Sequence, residues 1–339
     1  MRALILQQPG SIHLGTVAEP KPNDGEVLLR IRMVGLCGTD LNSYRGKNPL
    51  ISYPRIPGHE ISARVEALGP GVPETIQIGQ DVTLSPYTAC GRCASCRRGR
   101  VNACQFNQTL GVQRDGALAE FLVVPWTKLL RAEGLTREQL CMVEPLSVGF
   151  HAAQRGRVEP NDTVAVLGCG MIGLGAIAAS AYKGSRVIAV DVDDRKLDLA
   201  KRMGAHEVVN SKSQNLHEVL SSLTEGLGPD VVIEAIGLPE TFRAAVDEVA
   251  FTGRVVYVGY AKEAVTYETR FFVMKELDIL GSRNALQDDF AGVIQMLSTR
   301  SLPLSETVSK VVPISSAPDA FAEWAADPAS TTKVLVAVD

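Results

Sequence analysis

One glycine pattern, placed between two apolar strands, constrains this chain more than any other feature. Thr163–Leu167 is a short β-branched run, and Gly168-Cys169-Gly170-Met171-Ile172-Gly173 follows it directly and opens a helical stretch. In that position the glycines allow a tight turn, close backbone approach to a pyrophosphate, and close packing of helix on strand. The free N–H groups of the helix's first turn would face the phosphates. The next apolar run, Arg186–Val190, leads into Asp191, 18 residues beyond Gly173, where a carboxylate can accept from a ribose 2′-OH. Taken alone, such glycines can simply make a turn. In this context Gly168, Gly170, Gly173 and Asp191 read as a dinucleotide site. Asp191 repels a 2′-phosphate and favours NAD over NADP, while Arg195 and Lys196 weigh the other way.

The alternation continues through Asp230–Ile233, Arg254–Val258 and Leu277–Leu280, all short runs suited to buried parallel strands. Between them lie helical patterns, such as Leu197, Ala200 and Met203 behind a capping Asp193 or Asp194. Residues 151–283 therefore predict a doubly wound parallel sheet of the α/β class. Earlier in the chain the period is two. Val27, Leu29, Ile31 and Met33, then Ile61, Ala63, Val65 and Ala67, alternate with more polar neighbours among many Gly and Pro turns. This predicts a barrel-like β domain over 1–150. After Arg283 comes a helix carrying Leu286, Phe290, Val293, Ile294 and Leu297, then Pro-interrupted strands ending in Lys333–Val338. The whole tail, 284–339, is assigned to the first domain.

A chain of 339 residues with 45% hydrophobic residues can bury two cores. Its net charge of −4 gives no pull toward nucleic acid or an anionic membrane, and the basic run Arg92, Arg97, Arg98, Arg100 is too short to create one. The apolar stretch Thr163–Ala181 is interrupted by glycines, and Met1–Gln8 lacks the apolar region of a secretory signal. A cytoplasmic protein with no membrane or nucleic-acid partner is expected.

Cysteine placement agrees with a reducing compartment. Cys90-x2-Cys93-x2-Cys96-x7-Cys104 can close a tetrahedral thiolate shell around zinc in a lobe spanning about 88–106. Gly91 and Gly99 would let that lobe curl. A redox pair or two disulfides remain the other readings of the run. A second, dispersed set comprises Cys37 after one strand, His59 and Glu60 before another, and Glu144 where the pattern changes. One sulfur, one imidazole and one or two carboxylates suit a catalytic zinc with an open position. Singly, each has a plainer reading: a small buried cysteine, a hydrogen-bonded histidine, a solvated acid.

The chain resembles the zinc-containing medium-chain dehydrogenase/reductase family along essentially its whole length. The resemblance is carried by Gly35-Leu-Cys37-Gly-Thr39-Asp40, Pro57-Gly-His59-Glu60, the four-cysteine lobe, Val143-Glu144-Pro-Leu-Ser-Val-Gly149, the Gly168 fingerprint and Gly281-Ser-Arg283. Within the family it is most similar to the polyol branch of sorbitol and threonine dehydrogenases. Tyr53–Glu60, Gly111–Gly116 and Gly281–Ala285 also resemble bacterial sugar-acid dehydrogenases of the L-galactonate type. The resemblance implies a GroES-like β domain closed by the C-terminal segment, with a Rossmann domain inserted. It implies two zinc ions per chain and NAD. Cys37 and His59 would be catalytic-zinc ligands, with Glu60 bound directly or Glu144 through water. Thr39 would take the substrate proton and Asp40 would support the shell. Met171, Ile172, Val258 and Gly259 would join the cofactor site, and Tyr44 and Arg283 would contact substrate. One departure is Asn42, where the family usually places the histidine that ends a proton relay. The expected protein is a homo-oligomeric dehydrogenase, dimer or tetramer, acting on a polyol or sugar acid. L-threonine or another alcohol as substrate, or a non-catalytic NAD- and zinc-binding role, are the alternatives.

Overall fold

The computed structural model describes residues 1–328 and 331–339. The chain divides into two compact units, Met1–Glu144 with Leu304–Asp339, and Pro145–Pro303. The first is the GroES-like β domain and the second the doubly wound sheet.

The first unit is built on a seven-stranded sheet around the long strand Glu26–Leu36. Glu60–Leu68 pairs antiparallel with it, Val34 opposite Ile61 and Gly35 opposite Glu60. The C-terminal strand Lys333–Ala337 also pairs antiparallel with it, Val334 opposite Leu36. Period two decides which faces are buried. Val27, Leu29 and Ile31 share a core cluster with Ile61, Ala63 and Val65. Arg30 between them is exposed and clasps Glu66 on the neighbouring strand. Each fully buried Leu or Ile here contributes about 1.5–3 kcal/mol relative to exposure.

The tail corrects the sequence reading twice. Ala317–Ala326 is a helix, not part of a run of Pro-interrupted strands. Pro318 falls in its first turn, where the missing N–H has no helical partner to lose, and Ala320, Phe321 and Trp324 face the core. The helix Gln287–Thr299 lies in the second unit, not the first. Its buried face, Phe290, Val293, Met296 and Leu297, is fixed there by contacts within that unit. Gly292 abuts the Phe150 ring so closely that a Cβ would lie 2.6 Å from Cζ, and Asp289 bonds the buried His151 at 2.7 Å. At the other boundary the first unit ends at Glu144 rather than at 150, within the helix Arg137–Arg155, which has Pro145 inside it.

The second unit holds a six-stranded parallel sheet. Its spatial order is Glu207–Asn210, Arg186–Asp191, Thr163–Leu167, Val231–Glu234, Arg254–Tyr257, Asp278–Gly281. Glu207–Asn210 was not anticipated, because four residues are too few to show a period. The order reverses about Thr163–Leu167, so the glycine turn after it sits at the switch point, where open α/β sheets bind ligands. Asp193 caps the following helix by accepting from Arg195 N–H. Among the described residues, no helix is long and apolar enough to cross a membrane.

Candidate functional site

Cys37 follows the central strand directly and caps the short helix Gly38–Tyr44. The buried Asp40 carboxylate closes this turn. Its Oδ2 accepts from Cys37 N–H at 2.9 Å and its Oδ1 from Gly58 N–H at 3.2 Å. The second bond ties the helix cap to the segment that delivers His59 and Glu60. As a result Cys37 Sγ, a ring nitrogen of His59 and a carboxylate oxygen of Glu60 all lie within 4.8 Å of one another. Thr39 Oγ1 is 3.7 Å from Cys37 Sγ. His59 Nδ1 is buried without a hydrogen bond among the described residues, 3.8 Å from Asp40 Oδ1. A sulfur, an imidazole and a carboxylate brought together in this way, with Cys37 half-buried and the other two buried, fit zinc with a further position to spare. Burial works against a charged imidazole, but Asp40, Cys37 and Glu144 outweigh it and hold His59 well above its usual range. A metal ion on the ring would displace that proton.

Two partners of the carboxylates escaped the sequence reading. Lys333 Nζ donates to both oxygens of Glu60, at 2.6 and 2.7 Å, and to Leu36 O at 3.2 Å. The pairing beside Leu36 puts this buried lysine there. Gly35 leaves room for its partner, since a Cβ at that position would lie 2.1 Å from Glu60 Oε2. Burial disfavours the ammonium, but Glu60 and Cys37 outweigh it and hold Lys333 above its usual range. Glu144 lies outside the close group. It is buried on the helix Arg137–Arg155, and its Oε1 accepts from the Tyr87 hydroxyl. Burial raises its carboxyl, and the nearby His59 pulls the other way. Tyr44 turns its ring onto Phe321, 5.6 Å between centroids, and packs on the core. Asn42 is exposed. Arg283 is exposed in the second unit, after the strand Asp278–Gly281.

The four lobe cysteines also converge, their Sγ atoms within 4.8 Å of one another. Cys93 Sγ is 3.4 Å from Cys96 Sγ and 3.8 Å from Cys104 Sγ. Sulfurs about 2.3 Å from a central zinc would sit about 3.8 Å apart. Gly91 and Gly99 adopt φ of 73° and 75°, the left-handed turns this curl requires. Cys90 N–H and Phe106 N–H each donate to Cys104 Sγ at 3.3 Å. The Ser95 hydroxyl and the N–H groups of Cys96 and Gln105 hold Cys93 down to about 5. None of the seven cysteines is joined in a disulfide.

In the second unit the glycine turn fits a dinucleotide. A Cβ at Gly173 would lie 1.8 Å from Gly168 O, so only glycine lets the helix close on the strand. A Cβ at Gly170 would meet nothing within 4 Å, leaving open the space a pyrophosphate would need. Met171 and Ile172 start the helix Met171–Tyr182. Asp191 is held at the turn, accepting from Cys169 N–H at 2.8 Å, Val192 N–H at 2.7 Å and Asp193 N–H at 3.1 Å. Val258 N–H and Gly259 N–H donate to Glu234 O. Glu234 was missed, although an acid closing an apolar strand was a visible signal. Its Oε1 accepts from Ile236 N–H, Gly237 N–H and the Thr241 hydroxyl, which fixes the loop beside the Gly168 turn.

Residues 23–134 match the alcohol dehydrogenase GroES-like domain, and residues 172–299 match the zinc-binding dehydrogenase family. The chain is 34% identical to L-galactonate-5-dehydrogenase of Escherichia coli (strain K12), over 88% of this chain and 87% of the relative. It is 33% identical to a sorbitol dehydrogenase of Bacillus subtilis (strain 168), over 83% of this chain and 81% of that one. Its fold overlays a structure described as a short chain alcohol dehydrogenase from Escherichia coli CFT073, complexed with NADH, at a TM-score of 0.91 and 30% identity. That overlay covers 100% of this chain and 99% of the other.

Proposed function

The chain belongs to the zinc-type medium-chain dehydrogenases, and from that membership we propose that it uses NAD to oxidise a secondary hydroxyl of a polyol or sugar acid. The family consists of oxidoreductases that bind zinc and NAD(P). The choice of NAD and the class of substrate are this proposal's own. The observation that carries it is the close group of half-buried Cys37 and buried His59 and Glu60, with the Thr39 hydroxyl at its edge.

Zinc held in that group would polarise a substrate hydroxyl and lower its pKa. Cys37 and His59 would hold the ion, with Glu60 or Glu144 as the carboxylate. Thr39 Oγ1 would accept the substrate hydroxyl's proton as its own hydroxyl proton passes on toward solvent. Asp40 keeps Cys37 and the His59 segment in register through its two backbone bonds. Gly170 admits the pyrophosphate, and Asp191 accepts from the ribose 2′-OH. Arg283 is kept as a substrate contact. Cys90, Cys93, Cys96 and Cys104 would hold a second zinc ion, whose contribution there would be structural. The substrate class is supported by the relatives named for L-galactonate and sorbitol. The test is NADH formation over a panel of polyols, aldonates and L-threonine, repeated with NADP. Turnover of a polyol or aldonate with NAD is expected. Turnover confined to L-threonine or simple alcohols, or equal use of NADP, would sink the finer reading.

A further inference from the structure

Tyr87 belongs to neither metal motif, yet it stands between them. Its main chain lies at the base of the four-cysteine lobe, where Tyr87–Thr88 pairs with Gln108–Thr109 on either side of residues 90–104. Lys128 clamps that base, with Nζ donating to Tyr87 O at 2.7 Å and to Thr88 Oγ1 at 2.6 Å. The Tyr87 hydroxyl donates to Glu144 Oε1. Burial, with the charges of Glu144, Cys37 and Glu60 around it, holds the phenol well above its usual range, so it remains a donor.

Glu144 shares the buried surroundings of Glu60, whose charge works against its carboxylate while those of His59 and Lys333 favour it. The Tyr87 hydroxyl fixes one of its oxygens, and such outer hydrogen bonds set the direction in which a carboxylate faces a metal. We propose that Tyr87 is a positioning residue that orients Glu144 toward the Cys37–His59–Glu60 group and ties that orientation to the four-cysteine lobe. This rests on the reading of that group as a metal centre.

The test uses the full chain with zinc retained in the lobe and Co2+ titrated into the mixed group, whose visible absorption reports its donors. Tyr87→Phe removes one hydroxyl and keeps the ring. It is expected to change the Co2+ spectrum and to weaken Co2+ binding by about 10–100-fold, the usual effect of losing an outer-shell partner. A melting midpoint close to the native one shows that the variant is folded. Glu144→Gln is also expected to change the spectrum, and adding Tyr87→Phe to it should change nothing further, because the two act as one unit. Lys128→Met loosens the base of the lobe without touching either ligand group, and should shift the spectrum in the same direction as Tyr87→Phe. A native spectrum and affinity in Tyr87→Phe, or effects of Tyr87→Phe and Glu144→Gln that simply add, would overturn the inference alone. A native spectrum in Lys128→Met would overturn the tie to the lobe. No Co2+ uptake by the native mixed group would overturn the metal-centre reading, and this inference with it.

Discussion

The four-cysteine lobe gathers its ligands from fifteen consecutive residues, 90–104, and needs two left-handed glycines and a few N–H groups to do so. The mixed group takes Cys37 from the end of one strand and His59 and Glu60 from the start of the next. It further depends on Lys333 near the C-terminus and on Glu144 and Tyr87 from elsewhere. The lobe is a local object that can close once its turns form. The mixed group places an imidazole, two carboxylates and an ammonium in one buried region, which is tolerable only when the whole sheet has set their partners. The contrast separates a site built for stability from one built for chemistry, and each variant below tests that separation.

The largest effects should come from removing one thiolate on each side. Cys96→Ser opens the closed shell and should lower the melting midpoint by about 10 °C, from a loss of about 3–4 kcal/mol. Cys37→Ser should cut kcat/KM by about 10³-fold or more, several kcal/mol of lost charge stabilisation, while moving the midpoint by only about 2–3 °C. Metal analysis should find two zinc ions in the native protein and one in each variant. Equal loss of stability in both would erase the distinction.

Lys333→Met tests whether the mixed group is also part of the fold. Removing one partner of a buried pair leaves Glu60 uncompensated and should cost about 3–5 kcal/mol. Lys333 is held above its usual range. Above about pH 10.4 the unfolded chain therefore gives up a proton that the folded chain keeps. The stability from this group is present below that pH and is lost as the pH rises through the folded value. Denaturant midpoints across alkaline pH should show a decline in the native protein that is shallower in Lys333→Met. If the variant melts like the native protein, the pair is not structural.

The same contrast governs what could be read in advance. The cysteine spacing and the glycine turn were legible because their partners are near in sequence: Gly173 packs on Gly168, and Cys104 on Cys90. Strand positions such as Thr163–Leu167 were legible from apolar runs. The residue types of the mixed group suited a catalytic zinc, but that these distant residues meet was carried by family resemblance. Lys333 lies 273 residues from Glu60, and a lysine opening a strand looks solvated until the ladder beside Leu36 is known. Tyr87 was silent for the same reason. The helix Gln287–Thr299 was seen but misplaced, because its period gives a buried face without saying which core receives it.

The cofactor turn is the intermediate case, contiguous like the lobe and functional like the mixed group. Asp191→Ala should raise KM for NAD by about 10-fold, the loss of one hydrogen bond to a charged acceptor, and narrow the preference over NADP. The midpoint should fall by about 2–4 °C, because the buried Cys169 N–H loses its acceptor while solvent can reach the Val192 side of the turn. If the native protein already uses both cofactors equally, Asp191 does not select between them.

The smallest effect is expected at Asn42, one helical turn beyond Thr39 and exposed to solvent. An amide does not ionise near neutral pH, so the native rate profile should carry no step from this position. A histidine here would titrate near about pH 6.5 and could hand a proton to bulk water. Asn42→His should therefore add an inflection near neutral pH and speed oxidation on its acid side. Because water already reaches this position, the gain should stay well below the roughly 10²-fold that an added base can supply to a poor path. The measurement is kcat/KM against pH for both proteins, with deuterated substrate to show that hydride transfer is visible. If the isotope effect is expressed and the two profiles coincide, position 42 lies outside the proton path. The proton taken by Thr39 would then reach solvent without a side chain at that end of the helix.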